Sequence, residues 1–364
     1  MQEKISSSEI SVIVQGVIHL KRTKIALKSI RKYLPQAEII LSTWENSDVS
    51  NLVGLYDVLI FNKEPQAFLQ KKFKTKKVYN NLNRMIISTN SALGKVSRKY
   101  VLKLRSDNCI DNLNFLDFFN KYNFRNSKYQ LFEHRILAST LFSKFAQRQR
   151  DKSEEIPFHV SDWWFFGLTS DVKKYLLASE TVEEPYFSNY FELPENQNKK
   201  CVFEKFDWRF APEQYLAYSC FSKYFDDIYM KDCSDISDEI NKKSQICLAN
   251  NFIFLEYKQS GIWNQKYFYS KNERLIGSQY LDLYSHYIFQ KEYKKYCEND
   301  FILPNKEFIF ENNKIGRNIL KFYKHLGKLF DTEVSLLEKF EQIFIGIPFS
   351  AISLILVLFF DYKK

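Results

Sequence analysis

The feature that most constrains the fold is an alternation of strand-length apolar runs with helical patterns over the first 125 residues. Two stretches have helical patterns, 23–34 and 80–93. Around them stand four apolar runs of strand length, at 10–18 (ending near Gln15), 37–41, 58–61 and 100–104. Strands and helices that alternate with short connections predict an α/β fold, in which a single sheet is flanked by helices.

The pattern becomes less regular after about residue 125, where the sequence still predicts strands at 130–137 and 163–166 and a helix at 211–224. No internal repeat and no Gly/Ser-rich linker interrupts the chain. We therefore interpret residues 1–260 as one catalytic domain, 261–340 as a helical extension and 341–364 as an apolar C-terminal helix.

Polar side chains follow several of the predicted strands at the point where each strand ends. In open α/β sheets ligands bind beyond the carboxyl ends of the strands, so these positions are the candidates for a site. They are Gln15, the segment 42–45 with Glu45, and the segment 105–108.

The stretch LKLRSDN at 102–108 is the strongest of these signals. One carboxylate at a strand end can hold a divalent cation, Mg²⁺ or Mn²⁺, whose other ligands are diphosphate oxygens and water. A guanidinium in the same place can bind phosphate through two donors. Asp107 is therefore a candidate metal ligand and Arg105 a candidate phosphate ligand. A turn that only ends the strand explains the same residues.

Three further places carry candidate site residues. Asn81 and Arg84 share one helix face, and such a polar face can equally well line a cleft or be exposed to solvent. Asp162 stands next to two tryptophans, and aromatic rings suit a sugar face or an apolar lipid carrier. Glu213 follows Pro212, a residue typical of the first helical position. Its carboxylate is either a partner of the helix dipole or a general base.

Composition and missing motifs exclude several classes of function. Lys and Arg number 53 against 43 Asp and Glu, a formal net charge of +10, but the basic residues are dispersed and match no nucleic-acid module. No nucleic-acid partner is expected. The six cysteines form no CxxC pair, which argues against a structural zinc site. GxSxG, HExxH, P-loop and GxGxxG motifs are absent.

The C-terminal region has a membrane-like pattern. Residues 343–360 are uncharged and would form a helix about 27 Å long, against a hydrocarbon core of about 30 Å. Residues 314–329 place an apolar stripe beside a basic one, which favours a helix lying on an anionic membrane surface. We expect a cytoplasmic protein, peripheral or C-terminally anchored at the inner face of the inner membrane. A buried core helix and a solvated basic face are the alternatives.

Six blocks of the sequence resemble the WavE-type lipopolysaccharide-synthesis family, whose members are similar to GT-A glycosyltransferases. The blocks are VIVQG (12–16), LPQAEIILSTWENSDVS (34–50), NLNRMIIST (81–89), YVLKLRSDN (100–108), SDWWFFG (161–167) and APEQYL (211–216). AEIILSTWE and LKLRSD are the most specific of them. The resemblance covers about residues 10–260.

The resemblance implies a GT-A-like fold and a nucleotide-sugar-dependent transferase that builds lipopolysaccharide core, capsule or a related surface glycan. By similarity, Arg105 and Asp107 stand where GT-A enzymes have their DxD motif. Because Arg105 replaces the first Asp, the need for a divalent cation at Asp107 is in question. The nucleotide-sugar side of the site would then hold Gln15, Glu45, Asn81, Arg84, Arg105 and Asp107. Asp162 and Glu213 would face a glycan or lipid-linked glycan acceptor.

Two other functions remain open on the sequence. One is a phosphoryl or phospho-sugar transferase in the same pathway, built on a similar sheet. The other is a non-catalytic scaffold associated with the membrane, in which the polar strand ends are turns and the aromatic residues are core.

Overall fold

The computed structural model describes residues 5–70, 78–149, 152–199, 202–203, 206–266 and 283–304, with positions 343, 347, 348 and 351. The predicted amphipathic helix at 314–329 and nearly all of the apolar run at 343–360 lie outside the described residues. Among the described helices, none is long and apolar enough to cross a membrane.

The first half of the chain follows the alternation that the sequence predicts. Its helices are α1 (Leu20–Tyr33) and α2 (Leu82–Leu93). Its strands are β1 (Ile10–Gln15), β2 (Glu38–Trp44), β3 (Val58–Asn62), β4 (Phe68–Gln70), β5 (Val78–Asn80), β6 (Tyr100–Arg105) and β7 (Asn108–Ile110). β1 ends where Gly16 adopts a φ of +115°, a conformation that glycine adopts readily.

The second half supplies the remaining elements. Its strands are β8 (Ile136–Ser139), β9 (Ala146–Gln149), β10 (Lys152–Glu155), β11 (Trp164–Leu168), β12 (Phe252–Leu255) and β13 (Ile262–Asn264). Its helices are α3 (Thr169–Leu176), α4 (Pro212–Tyr224), α5 (Asp238–Asn251), α6 (Tyr257–Ser260) and α7 (His286–Tyr296).

Seven strands of the described chain form the central sheet, in the order β12-β8-β11-β6-β1-β2-β3. β1, β2, β3 and β6 run parallel to one another. β11 is antiparallel to β6 and pairs Trp164 with Leu104. The start of β11 therefore lies at the same edge of the sheet as the ends of β6, β1 and β2.

Helices cover the sheet, and this explains why its strands are apolar without alternation. α2 packs against β1, β2 and β3, and α3 packs against β6 and β11. Val12, Leu41 and Leu102 have no exposed surface. Burying such a side chain contributes about 1.5–3 kcal/mol. The prediction of a single sheet flanked by helices is confirmed.

The predicted strand at 130–137 is present only from Ile136 onward. In the segment before it, the backbone N–H groups bond to side chains instead of to a neighbouring strand. Those of residues 131 and 132 donate to Asn251, and those of residues 133 and 134 donate to Asp171. Apolar periodicity does not reveal this, because the acceptors lie about 40 and 120 residues away in the chain.

Beyond residue 260, α7 still belongs to the core. It packs against α5 and β12, and its Phe289 and Tyr293 are buried among the core residues.

Candidate active site

A cleft of about 690 Å³ opens at the edge of the sheet where β1, β2 and β6 end and β11 begins. The start of α2 and the start of α4 complete its walls. Seven of the eight residues predicted from the sequence line it, namely Gln15, Asn81, Arg84, Arg105, Asp107, Asp162 and Glu213.

Glu45 is the predicted residue that does not line the cleft. Its side chain is exposed, and its backbone N–H donates to the Asn62 carbonyl at 3.0 Å. The residue before it, Trp44, lines the cleft instead. Successive side chains of a strand point to opposite faces, so a shift of one residue changes which of them can reach a ligand.

Asp107 is held by a neighbouring arginine and by an asparagine from a distant part of the chain. Its carboxylate is buried and lies 3.5 Å from Arg105 Nε, while the amide of Asn264 donates to its Oδ1 at 2.7 Å. The same amide reaches Asn108 Oδ1 at 2.6 Å. Asn264 is fully buried at the end of β13, and no local pattern of the sequence indicates it.

A glycine just before β13 allows this strand to lie close to β7, which places Asn264 beside Asp107. Gly261 has a φ of +69°, and a Cβ at that position would lie 2.2 Å from Asn112 Oδ1. β13 then pairs with β7 and brings Asn264 opposite Asn108. Any side chain at position 261 would push β13 away from β7, the strand that follows Asp107.

Hydrogen bonds fix the polar groups at the end of β1. The Ser88 hydroxyl lies 2.6 Å from Gln15 Oε1, and the Ser106 hydroxyl donates to the Val17 carbonyl at 2.6 Å. Ser88 has no exposed surface. The Ser88 side chain of α2 thus faces the end of β1.

Arg84 lies at the opening of the cleft within a small polar cluster. Its guanidinium forms an ion pair with Glu64 at 2.8 Å and donates to Asn81 Oδ1 at 3.0 Å. Both partners are partly exposed, so this pair adds little to stability. Its consequence is electrostatic, because the Glu64 carboxylate offsets the Arg84 charge at this end of the cleft.

Asp162 is anchored by a buried lysine that the sequence analysis did not single out. Lys103 is 1% exposed, and its Nζ donates to the Asp162 carbonyl and lies 3.9 Å from Asp162 Oδ2. Burial lowers the pKa of Lys103 to about 8, against the opposing attraction of Asp162. The sequence feature that could have indicated this buried lysine is its position inside the apolar run YVLKL (100–104).

Glu213 has the environment of a proton-accepting group. It follows Pro212 in the first turn of α4, as its sequence predicted. Burial, with the nearby Asp162 charge second, raises its pKa to about 7, while its own backbone, Lys144 and Arg105 act in the opposite direction. A carboxylate with such a pKa can exchange a proton near neutral pH.

His159 and a set of aromatic rings form the wall beside Glu213. Burial, together with the Lys144 charge, lowers the pKa of His159 to about 3, so the imidazole is neutral. Phe142 lies 5.2 Å from Trp163, and Phe206 stacks on Trp208 at 3.8 Å between ring centroids. The rings that line this wall are Phe142, Trp163, Phe203, Phe206 and Trp208. The sequence indicated two tryptophans next to Asp162; Trp163 lines the cleft, whereas Trp164 packs into the core.

The donor set around Asp107 does not build a resident metal site. Across the described ranges, no cluster of three or more His, Cys, Asp or Glu side chains is placed to hold a metal. The Asp107 carboxylate also faces Arg105 and Asn264, which are donors and compete with a cation. A cation here would depend on substrate oxygens and water for nearly all its ligands. Mg²⁺ or Mn²⁺ dependence therefore stays a prediction.

Comparison with known families agrees with the resemblance seen in the sequence. The family model described as WavE lipopolysaccharide synthesis matches residues 10–324, which is most of the chain. That range includes every residue of the cleft named above. A search of curated proteins finds no match.

Proposed function

Because the chain belongs to the WavE lipopolysaccharide synthesis family, we propose that it is a glycosyltransferase. It moves a sugar from a nucleotide-sugar donor to a lipopolysaccharide-core, capsule or related surface-glycan acceptor. The family supports a role in lipopolysaccharide synthesis, and the arrangement of the cleft supports this particular chemistry.

The observation that carries the proposal is the order of the groups along the edge of the sheet. Asp162 precedes β11, Arg105 ends β6, Gln15 ends β1 and Trp44 ends β2, and these strands are successive neighbours. Neighbouring strands lie about 4.8 Å apart, so this row spans about 14 Å. A nucleotide-sugar is an extended molecule with its diphosphate in the middle. It matches a row with carboxylates at one end, Arg105 in the middle and neutral donors at the other end.

The residues of the cleft suit a displacement at the anomeric carbon. The acceptor hydroxyl oxygen bonds to that carbon while the bond from the carbon to the diphosphate oxygen breaks. The hydroxyl proton passes to the Glu213 carboxylate, and the bonding electrons leave on the nucleoside diphosphate. Arg105 stabilises the charge that develops there. Asp162, held by Lys103, orients the acceptor hydroxyl.

The aromatic wall beside Glu213 suits the acceptor. Rings bind the apolar faces of sugars and exclude water from the reacting atoms. We propose that a glycan or lipid-linked glycan lies here, and that the protein works at the inner face of the inner membrane. The C-terminal segment predicted to attach it lies outside the described residues.

The test is turnover of radiolabelled nucleotide-sugars with lipopolysaccharide from a strain that lacks this gene. Transfer is expected with the natural chain and is expected to fall at least about 100-fold in Glu213→Gln, the range typical of general-base loss. Asp107→Ala should also lose activity, whereas Asp48→Ala, an exposed carboxylate outside the cleft, should not. Phosphorus retained in the acceptor product would instead identify a phosphoryl or phospho-sugar transferase. Full activity in Glu213→Gln would contradict the mechanism.

A further inference from the structure

Buried donors without a partner lie at the end of the cleft where β2 ends and α2 begins. Within the described ranges, Trp44 Nε1 and Asn80 Nδ2 are buried and have no hydrogen-bond partner. Both residues line the cleft where β2 ends and α2 begins, with 6% and 3% of their surface exposed. Burying a donor without a partner costs free energy, and folded proteins contain few such groups. A ligand that accepts from both atoms would remove this cost.

Both unpaired atoms are donors, and the acceptors beside them are engaged. Asn80 Oδ1 accepts the backbone N–H of Leu82 at 2.9 Å, so only the NH₂ of this amide is left for a ligand. Gln15 Oε1 lies 2.6 Å from the Ser88 hydroxyl, which leaves the Gln15 amide nitrogen as the group that faces the cleft. We call Trp44, Asn80 and Gln15 the donor corner.

The donor corner carries little net charge. Arg84, the cation beside it, pairs with Glu64 at 2.8 Å, so its charge is offset, and its buried Nε, which has no partner among the described residues, adds a further donor. Arg105 ends a strand two places away from β2, a distance of about 10 Å. Neutral N–H groups match neutral carbonyl oxygens, whereas a phosphate or carboxylate is best bound by an unpaired cation.

We propose that the donor corner donates hydrogen bonds to the carbonyl oxygens of a nucleobase. It thereby selects a pyrimidine-2,4-dione, the base of uridine and thymidine nucleotides. This inference rests on the proposed function, which places the base at this end of the row. Cytosine and adenine carry an exocyclic amino group where uracil has a carbonyl, and guanine carries one on the same edge as its carbonyl. An amino group facing Trp44 Nε1 or Asn80 Nδ2 leaves two donors unpaired, so these bases bind more weakly.

The first experiment is isothermal titration calorimetry of the full chain with UDP, CDP, ADP and GDP. UDP is expected to bind at least about tenfold more tightly than each of the others, the ratio that one unpaired buried donor produces. All four ligands carry a ribose diphosphate, so differences among them report on the base. Inorganic phosphate alone is included to detect an anion site.

Two substitutions assign the selectivity to the donor corner. Trp44→Phe keeps an aromatic ring but removes the N–H, and it should reduce the UDP/CDP affinity ratio about tenfold. Asn80→Asp keeps the oxygen that accepts from Leu82 and replaces the donor with an acceptor, so the ratio should shift towards CDP. The added charge acts on both diphosphates alike and cancels in the ratio. Trp263→Phe is the matched control, because its indole N–H donates to Asp111 outside the cleft lining.

The outcomes separate this inference from the proposed function. Equal binding of all four nucleotides would overturn base selection while leaving a nucleotide-sugar transferase intact. A UDP preference that survives both substitutions would place the base elsewhere and overturn the assignment to the donor corner. Phosphate binding that weakens in Trp44→Phe would make the corner an anion site and also overturn it. No binding of any nucleotide by folded protein would overturn both proposals.

Discussion

The Lys103→Met substitution is expected to make the protein more stable and less active. Burial lowers the pKa of Lys103 from 10.5 to about 8, even after the attraction of Asp162 is included. A fall of about 2.5 in pKa means that the charged form is disfavoured in the folded protein by about 3 kcal/mol. Methionine removes that penalty but leaves the Asp162 carbonyl without its donor, a loss of about 1 kcal/mol. The net gain expected at pH 7 is about 2 kcal/mol.

The pH dependence of this gain has a definite sign. The folded pKa of Lys103 lies below the unfolded value, so the unfolded chain binds the proton more tightly. The penalty in the natural protein is therefore complete below pH 8 and disappears as the pH rises through 10.5. The stability advantage of Lys103→Met should be largest near neutral pH and shrink between pH 8 and 10.5.

Urea unfolding at pH 7 and at pH 10 measures both effects, with Lys95→Met, an exposed lysine, as the control. Transfer activity should fall in Lys103→Met because Asp162 loses its anchor, and the free energy of unfolding should rise at pH 7. A variant that is less stable than the natural protein at pH 7 would refute the reasoning. That result would mean that the contacts of Lys103 with Asp162 outweigh the cost of burying the lysine charge.

Three further predictions follow from the site. The transfer rate should increase with pH through about 7, as the Glu213 carboxyl loses its proton, and a pH profile of kcat should lack this limb in Glu213→Gln. Gly261→Ala should lower the free energy of unfolding by about 1–3 kcal/mol, because its new Cβ would meet Asn112. Gly54→Ala, also at positive φ but with nothing within 4 Å, should cost less in the same denaturation assay. EDTA should leave the Tm unchanged, because no His, Cys, Asp or Glu cluster among the described residues completes a metal site at Asp107; a Tm drop on chelation would contradict this.

The sequence was most informative where a property depends on consecutive residues. The runs at 10–18 and 100–104 correctly predicted β1 and β6, and the polar residues at the ends of these strands, Gln15 and Arg105, do meet at one edge. At the end of β2, Trp44 lines the cleft, whereas the predicted Glu45 does not. Apolar periodicity locates a strand, but it leaves open which of the last side chains turns towards a ligand.

Contacts between distant parts of the chain could not be inferred in this way. The bond from Asn264 to Asp107 joins residues 157 positions apart, and the bond from Lys103 to Asp162 spans 59. The raised pKa of Glu213 likewise depends on Asp162 and on burial, neither of which is encoded in the segment around it.

The sequence by itself predicted the α/β class, five strands of the central sheet, three helices and seven residues of the cleft. Local spacing decides these features, because side chains repeat at fixed intervals along a strand or a helix. Only the tertiary structure decided the antiparallel placement of β11, which brings Asp162 to the edge where β6 ends. It also decided which donors remain unpaired at Trp44 and Asn80. Burial and hydrogen-bond partners are properties of the packed chain, since they depend on every element that closes around a group.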